Sequence, residues 1–140
     1  MATTTSTQDS GLLDYLKPFL LREAGIDLTW IAADTDKALE HGKNCDVDVL
    51  LAHTPAAERK MLEEGFAVVR REVMYVERDK GQITQYSVMI VNPARCPAVK
   101  AGPAKKFADW WVSAAAQDHI ACFRREGRQI FFPNAAPPSR

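Results

Sequence analysis

Between Leu12 and Gly65 the chain passes from helical to strand periodicity and back with only short breaks, and this alternation restricts the fold more than any other feature. Leu12, Leu13, Leu16, Phe19 and Leu20 recur at helical spacing, with Asp9 or Ser10 available as a cap and Gly25 as a stop. Pro18 lies inside this segment and is expected to distort it. Residues 26–33 read as a strand. Asp34, Thr35 and Asp36 open a short helix that closes near Gly42. Val47, Val49, Leu50 and Leu51 form a buried strand. Thr54 caps a third helix with Pro55 at its first position, where a missing N–H costs nothing. Glu58 follows Thr54 by four residues, and Gly65 ends the segment. Strands that alternate with helices imply an α/β fold: a three-layer sandwich with a mainly parallel sheet and helices on both faces.

The remainder continues the theme. Residues 67–76 and 86–91 read as strands, joined by a polar connection over residues 77–85 around Gly81. Asn92 and Pro93 break the second strand. A single long helix is expected over residues 103–123, then a short strand over residues 129–132. This gives one domain over residues 1–135, made of an N-terminal part (1–76), the short connection and a C-terminal part (86–135), followed by a frayed tail over residues 136–140.

With 140 residues the chain can bury one core without staples. Its formal net charge of +0 argues against nucleic acid and anionic membranes as partners. No run of apolar residues is long enough to span a bilayer. The polar start after Met1 is not a signal peptide, so the reading is a cytosolic chain or one whose leader has been removed. Cys45, Cys96 and Cys122 are expected as buried or half-buried thiols, with one long-range disulfide as the alternative. Their spacing offers no zinc site, and no metal or cofactor is expected.

In sheets of this kind ligands bind beyond the carboxyl ends of the strands. The loops at residues 3–10, 33–36 and 53–55 fit that position. The first carries Thr3, Thr4, Thr5, Ser6 and Thr7 into a helix start, where hydroxyls and free N–H groups suit a tetrahedral oxyanion. The competing reading is a hydroxyl-rich tail that binds nothing. His53, at a strand end, reads as a hydrogen-bonded structural residue. His41 has no nucleophile motif beside it, and His119 is placed on a helix surface. Asp46 and Asp48 read as local turn and pairing residues, and Arg70, Arg71, Arg124 and Arg125 as solvated charges. Of Trp110 and Trp111, one is expected in the core and the other flanking it. No nucleophile with a base is visible, so the chain is not read as an enzyme.

The run from Ala2 through Ser6 to Leu13 resembles the N-terminal signature of tungstate-binding proteins of ABC importers. Collinear similarities follow at Ile31-Ala32-Ala33 with Thr35, at Asp46-Val47-Asp48-Val49-Leu50-Leu51 with His53 and Pro55, and at Glu64-Gly65-Phe66. Others lie at Arg70-Arg71 with Val73-Met74-Tyr75, at Tyr86-Ser87-Val88, at Val91-Asn92-Pro93, and at Phe131-Phe132-Pro133-Asn134-Ala135. The resemblance implies one lobe of a type II periplasmic binding protein, located in the periplasm or outside the cell, that presents a tungstate or molybdate oxyanion to an ABC permease. It points to Thr4, Thr5, Ser6 and Thr35 as oxyanion ligands, with Thr7 and Thr54 as second choices.

The family inserts a second lobe between the positions of Tyr75 and Tyr86, where this chain has about ten residues. A basic ligand residue from that lobe has no assigned counterpart, and the family's first strand must be built from residues 1–5 or be lost. Asp34 and Asp36 flank Thr35, and Cys45 stands, where the family carries small residues or glycine. Charged hydrogen bonds are worth ~1.5–3 kcal/mol each. Losing two or three of them would cost ~5 kcal/mol, a few thousandfold in affinity. Weak binding by a trimmed lobe is therefore expected. The alternative is an engineered or degenerate scaffold that binds nothing and self-associates, as a homodimer, through the former interlobe surface.

Overall fold

The computed structural model describes residues 1–135. The expected tail at 136–140 lies outside the described residues. The elements run β1 (Ala2–Thr4), α1 (Thr5–Asp9), α2 (Leu12–Ala24), β2 (Ile31–Ala33), α3 (Thr35–Lys43), β3 (Val49–Ala52) and α4 (Pro55–Glu63). They continue with β4 (Ala67–Glu77), a 3₁₀ turn (Asp79–Gly81), β5 (Ile83–Val91), α5 (Ala101–Trp111), α6 (Ala114–Cys122), β6 (Arg124–Arg125), β7 (Arg128–Gln129) and β8 (Phe132–Pro133).

One sheet has the order β2-β1-β3-β5-β4-β8. β1 pairs in parallel with β2 and β3, while β5 runs antiparallel to both β3 and β4, and β8 antiparallel to β4. The sheet is thus mixed: its parallel half comes from the alternating helix and strand units, its antiparallel half from the hairpin of β4 and β5. β6 and β7 form a separate small hairpin.

Strand alternation divides the core into two faces. Val49 and Leu51 of β3, with Val88 and Ile90 of β5, face α2, α5 and α6. Leu50 and Ala52, with Met89 and Val91, face α3 and α4. Helix α2 places Leu12, Leu13, Leu16 and Leu20 in the first face, none more than 1% exposed. Burying a leucine contributes about 1.5–3 kcal/mol, so this stripe anchors the layer. Pro18 sits on an exposed position of α2 and the helix continues through it. Val73 and Met74 are consecutive, yet both enter the first core, because a register shift in β4 between Glu72 and Met74 turns both side chains inward.

Several local expectations change. The segment at 3–10 is not a loop: its start is β1, which supplies the first strand, and its remainder is α1. Of residues 26–33 only Ile31–Ala33 pair, because Leu28 is taken up by the core before the chain reaches the sheet. Residues 77–85 are mostly strand, since β4 reaches Glu77 and β5 begins at Ile83. The helix expected over 103–123 is two helices. Ser113 accepts a hydrogen bond from the Ala116 N–H at 3.2 Å and caps α6 as a new start. The strand expected at 129–132 is divided between β7, paired with β6, and β8, paired with β4.

The cysteines also differ from the expected thiols. Cys45, after α3, and Cys96, after β5, form a disulfide across a sequence separation of 51, whereas Cys122 is free and exposed. Cys45 holds a φ of 64°, a left-handed backbone that favours glycine. Trp110 and Trp111 are both buried, and Trp110 Nε1 donates to Glu23 at 3.0 Å. His119 is half-buried: its ring stacks on Phe19 and its Nε2 lies 2.7 Å from Glu23 Oε2.

Candidate functional site

The parallel strands β2, β1 and β3 end on one edge of the sheet, and three chain segments leave that edge together. Thr4 is in register with Ala33, so the starts of α1 and α3 lie side by side. On the other side Thr3 Oγ1 donates to the Leu51 carbonyl at 2.9 Å, which ties β1 to the end of β3 just before His53 and Thr54. The topology therefore assembles all the residues that the sequence marks as oxyanion ligands along this edge.

The hydroxyls within it are ordered. Thr4 Oγ1 lies 2.8 Å from Thr7 Oγ1 and 3.2 Å from Ser6 Oγ. Thr4 and Thr7 are buried, at 3% and 0% exposed, whereas Thr5 and Ser6 are open to solvent. Thr4 and Thr7 thus form an internal pair that holds Ser6, and Thr5 and Ser6 face outward. Thr35 is half-buried as the first residue of α3, with Asp34 at the cap position and Asp36 in the first turn, both exposed. Asp34 makes no side-chain cap bond, so the first turn of α3 keeps its N–H groups free of that carboxylate.

The third segment is braced from below. Glu58 is fully buried and accepts the Thr54 N–H at 2.6 Å through one oxygen and Arg70 Nε at 2.9 Å through the other. The Thr54 amide is therefore committed, and Arg70 is a buried ion-pair partner rather than the solvated charge expected. Arg71, by contrast, is a half-exposed partner of Asp109 at 3.1 Å. His53 packs its ring 5.0 Å from that of Tyr86. Its Nε2 is enclosed without a hydrogen-bond partner among the described residues, against the hydrogen-bonded role expected. His41 pairs with Asp46 at 2.9 Å, and Asp48 accepts the Lys100 N–H at 3.1 Å.

Tyr86 joins this edge although no motif in its local sequence marks it as a ligand. It is 7% exposed and stands one residue before Ser87, the partner of Ala52 at the end of β3. Burial raises its phenol above the ordinary tyrosine value, while the Thr7 and Ser6 side chains and the charge of Arg78 act in the opposite direction. The phenol thus lies beside the Thr7 and Ser6 hydroxyls. The one signal in the sequence was its place as the first aromatic residue after the polar connection. The assembled edge brings together hydroxyls, one phenol and helix starts, groups whose chemistry suits an anion. Among the described residues no group of His, Cys, Asp and Glu could hold a metal ion.

Comparison with known proteins gives the same direction. The family described as PBP superfamily domain matches residues 1–78. The chain is 48% identical over 75 residues to the tungstate-binding protein TupA of Peptoclostridium acidaminophilum, which covers 54% of this chain. It is 51% identical over 70 residues to TupA of Campylobacter jejuni, covering 50%. A putative ABC transporter anion-binding protein of Haloferax volcanii is 38% identical over 98 residues, covering 70%. The matched stretch spans 26% of the length of each of these relatives. The solved structure of the tungstate-binding TupA from Desulfovibrio alaskensis superposes with a TM-score of 0.93 at 28% identity, covering 97% of this chain and 98% of that one. With more than half its length matched by the family and its fold shared with a tungstate-binding protein, the chain belongs to the PBP superfamily.

Proposed function

We propose that this chain is the solute-binding part of a tungstate-class oxyanion import system, with Thr5, Ser6 and Thr35 donating to the anion and Thr4 and Thr7 holding Ser6 in place. The observation that carries the reading is the convergence of three segments on the carboxyl edge of β2, β1 and β3, with the Thr4, Ser6 and Thr7 hydroxyls in mutual contact there. The relatives named for tungstate or anion binding support the ligand class, and the anion-binding relative supports an ABC permease as partner. Tungstate and molybdate are both tetrahedral dianions, and hydroxyl donors suit either. The disulfide supports a site of action outside the reducing cytoplasm. Among the described residues no helix is long and apolar enough to cross a membrane. The role proposed is binding, without a catalytic step.

Only the ligands of this one edge are available on a single lobe, with β4 and β5 joined by a short turn where the resembled family inserts its second lobe. Affinity in the micromolar range is the corresponding expectation. Isothermal titration calorimetry with tungstate, and sulfate as control, tests the proposal. Saturable binding that weakens roughly tenfold in Thr5→Ala and in Thr35→Ala supports it, one charged hydrogen bond being lost in each. No heat up to millimolar tungstate would overturn it.

A further inference from the structure

The three segments that leave the edge do not open alike. Asp34 makes no side-chain cap bond, so the first turn of α3 keeps its donors. The start of α4 is closed instead. Pro55 removes its first N–H, and the Thr54 N–H before it is taken by Glu58 at 2.6 Å. Glu58 is 0% exposed, so a carboxylate charge is buried directly behind the loop at residues 53–55. β3, which feeds this loop, is the neighbour of β1, which carries the hydroxyl run, one strand spacing of ~4.8 Å away. A buried carboxylate so placed repels a dianion at the edge unless a cation compensates it.

Arg70 is that cation. Its side chain is 10% exposed, and its Nε donates to Glu58 Oε1 at 2.9 Å. Its Nη2 lies 3.6 Å from Glu72 Oε2, a carboxylate that is half exposed. Arg70 stands on β4 opposite Met89, on the sheet face that α3 and α4 cover. β5 separates β4 from β3 in the sheet, so the ion pair ties the loop after β3 to a strand that β3 does not touch. The guanidinium stays charged at any working pH, and its Nε binds one carboxylate oxygen while the other oxygen holds the Thr54 amide.

We propose that Glu58 and Arg70 are positioning residues of the oxyanion site. Glu58 holds the loop at Thr54 as a fixed wall beside the anion, and Arg70 cancels the charge of Glu58 so that this wall does not repel a dianion. Neither side chain touches the anion, whose donors remain those of α1 and α3. The inference rests on the oxyanion reading above and adds the support of its third segment.

Tungstate calorimetry on the full chain, with urea unfolding of each variant beside it, tests both roles. Arg70→Met leaves the carboxylate uncompensated and is expected to bind at least roughly tenfold more weakly than wild type. Adding Glu58→Gln removes the charge and keeps an acceptor for the Thr54 N–H, so that double variant should return to within about threefold of wild type. A pair that served stability alone would give no such rescue, because the second substitution would add to the loss. Glu58→Ala with Arg70→Met removes charge and acceptor together, and should bind about tenfold more weakly than the Gln double variant. That comparison needs neither a buried unpaired carboxylate nor a folded Arg70→Met. Wild type that binds tungstate, with Arg70→Met equal to it, or with the Gln double variant no tighter than Arg70→Met, would overturn the shielding role. Equal affinity of the two double variants would overturn the hold on Thr54. Wild type without binding would overturn the oxyanion reading, and this inference with it.

Discussion

Breaking the bond between Cys45 and Cys96 is the perturbation whose size follows most directly from the fold. The two sulfurs join the turn after α3 to the segment after β5 across a separation of 51 residues. In the chain-entropy account, closing a loop of that length removes about 4 kcal/mol of freedom from the unfolded chain at 25 °C. Stability of small domains is commonly about 5–15 kcal/mol, so the reduced protein should stay folded with a much smaller margin. The assay is urea unfolding followed by the fluorescence of its three tryptophans, with and without a thiol-free reductant. Substitution at Cys45 refines the estimate, because its φ of 64° strains any residue with a Cβ. Left-handed backbone costs roughly 1–2 kcal/mol outside glycine. Cys45→Gly should therefore be about 1 kcal/mol more stable than Cys45→Ser, although both lack the bond. Coincident unfolding curves for oxidised and reduced protein would refute the loop-entropy argument. Equal stability of the two Cys45 variants would refute the strain argument alone.

Other changes have equally definite expected outcomes. Glu58→Ala leaves Arg70 buried without its main partner and should cost about 3–5 kcal/mol in urea unfolding; Arg70→Met added to it should recover part of that loss. Gly42→Val should destabilise by about 1–3 kcal/mol, since even a Cβ at this position comes within 2.8 Å of Leu50 Cδ1, a side chain with no exposure, and a melting curve reads the result. Hydrogen bonds from His119 first and Trp110 second hold the Glu23 carboxyl below the ordinary glutamate range. Its folded value is depressed, so its contribution is present above the unfolded value and fades as pH falls through the folded one. Glu23→Gln should therefore flatten the acid limb of a stability-against-pH profile.

Much of this architecture was legible in the residues, because local patterns and tertiary structure agree over most of the chain. The leucine stripe of α2, the Thr54-Pro55 start of α4 and the buried β3 each follow from spacing that burial then enforces. The exceptions have particular causes. Residues 113–116 carry the signal for a helix start at Ser113, but the apolar spacing from Phe107 to Phe123 masks it. The pairing of Cys45 with Cys96 depends on a crossover between α3 and β5 that no local window contains. At the site, the hydroxyl run was evident as chemistry, whereas the division into enclosed Thr4 and Thr7 and open Thr5 and Ser6 is set by how β1 docks between β2 and β3. Tyr86 is not legible as a site residue because its neighbours in sequence are strand residues and its neighbours in space, Ser6 and Thr7, come from the start of the chain.

The lengths of the strands bear on how the molecule behaves in a crowded solution. The sheet ends on one side at β2, three residues long, and on the other at β8, two residues long and including a proline. Short edges and proline offer few unpaired N–H and C=O groups to a second chain. The long strands β4 and β5, of eleven and nine residues, are neighbours in the interior and screen each other. Two margins stay open among the described residues: the outer side of β4 from Ala67 to Glu72, because β8 reaches only Met74 and Tyr75, and the outer side of β5 above Ser87, where Ile83 is 56% exposed. Any strand added to this sheet by another molecule, and any aggregation that begins from the folded state, would start along one of these free margins.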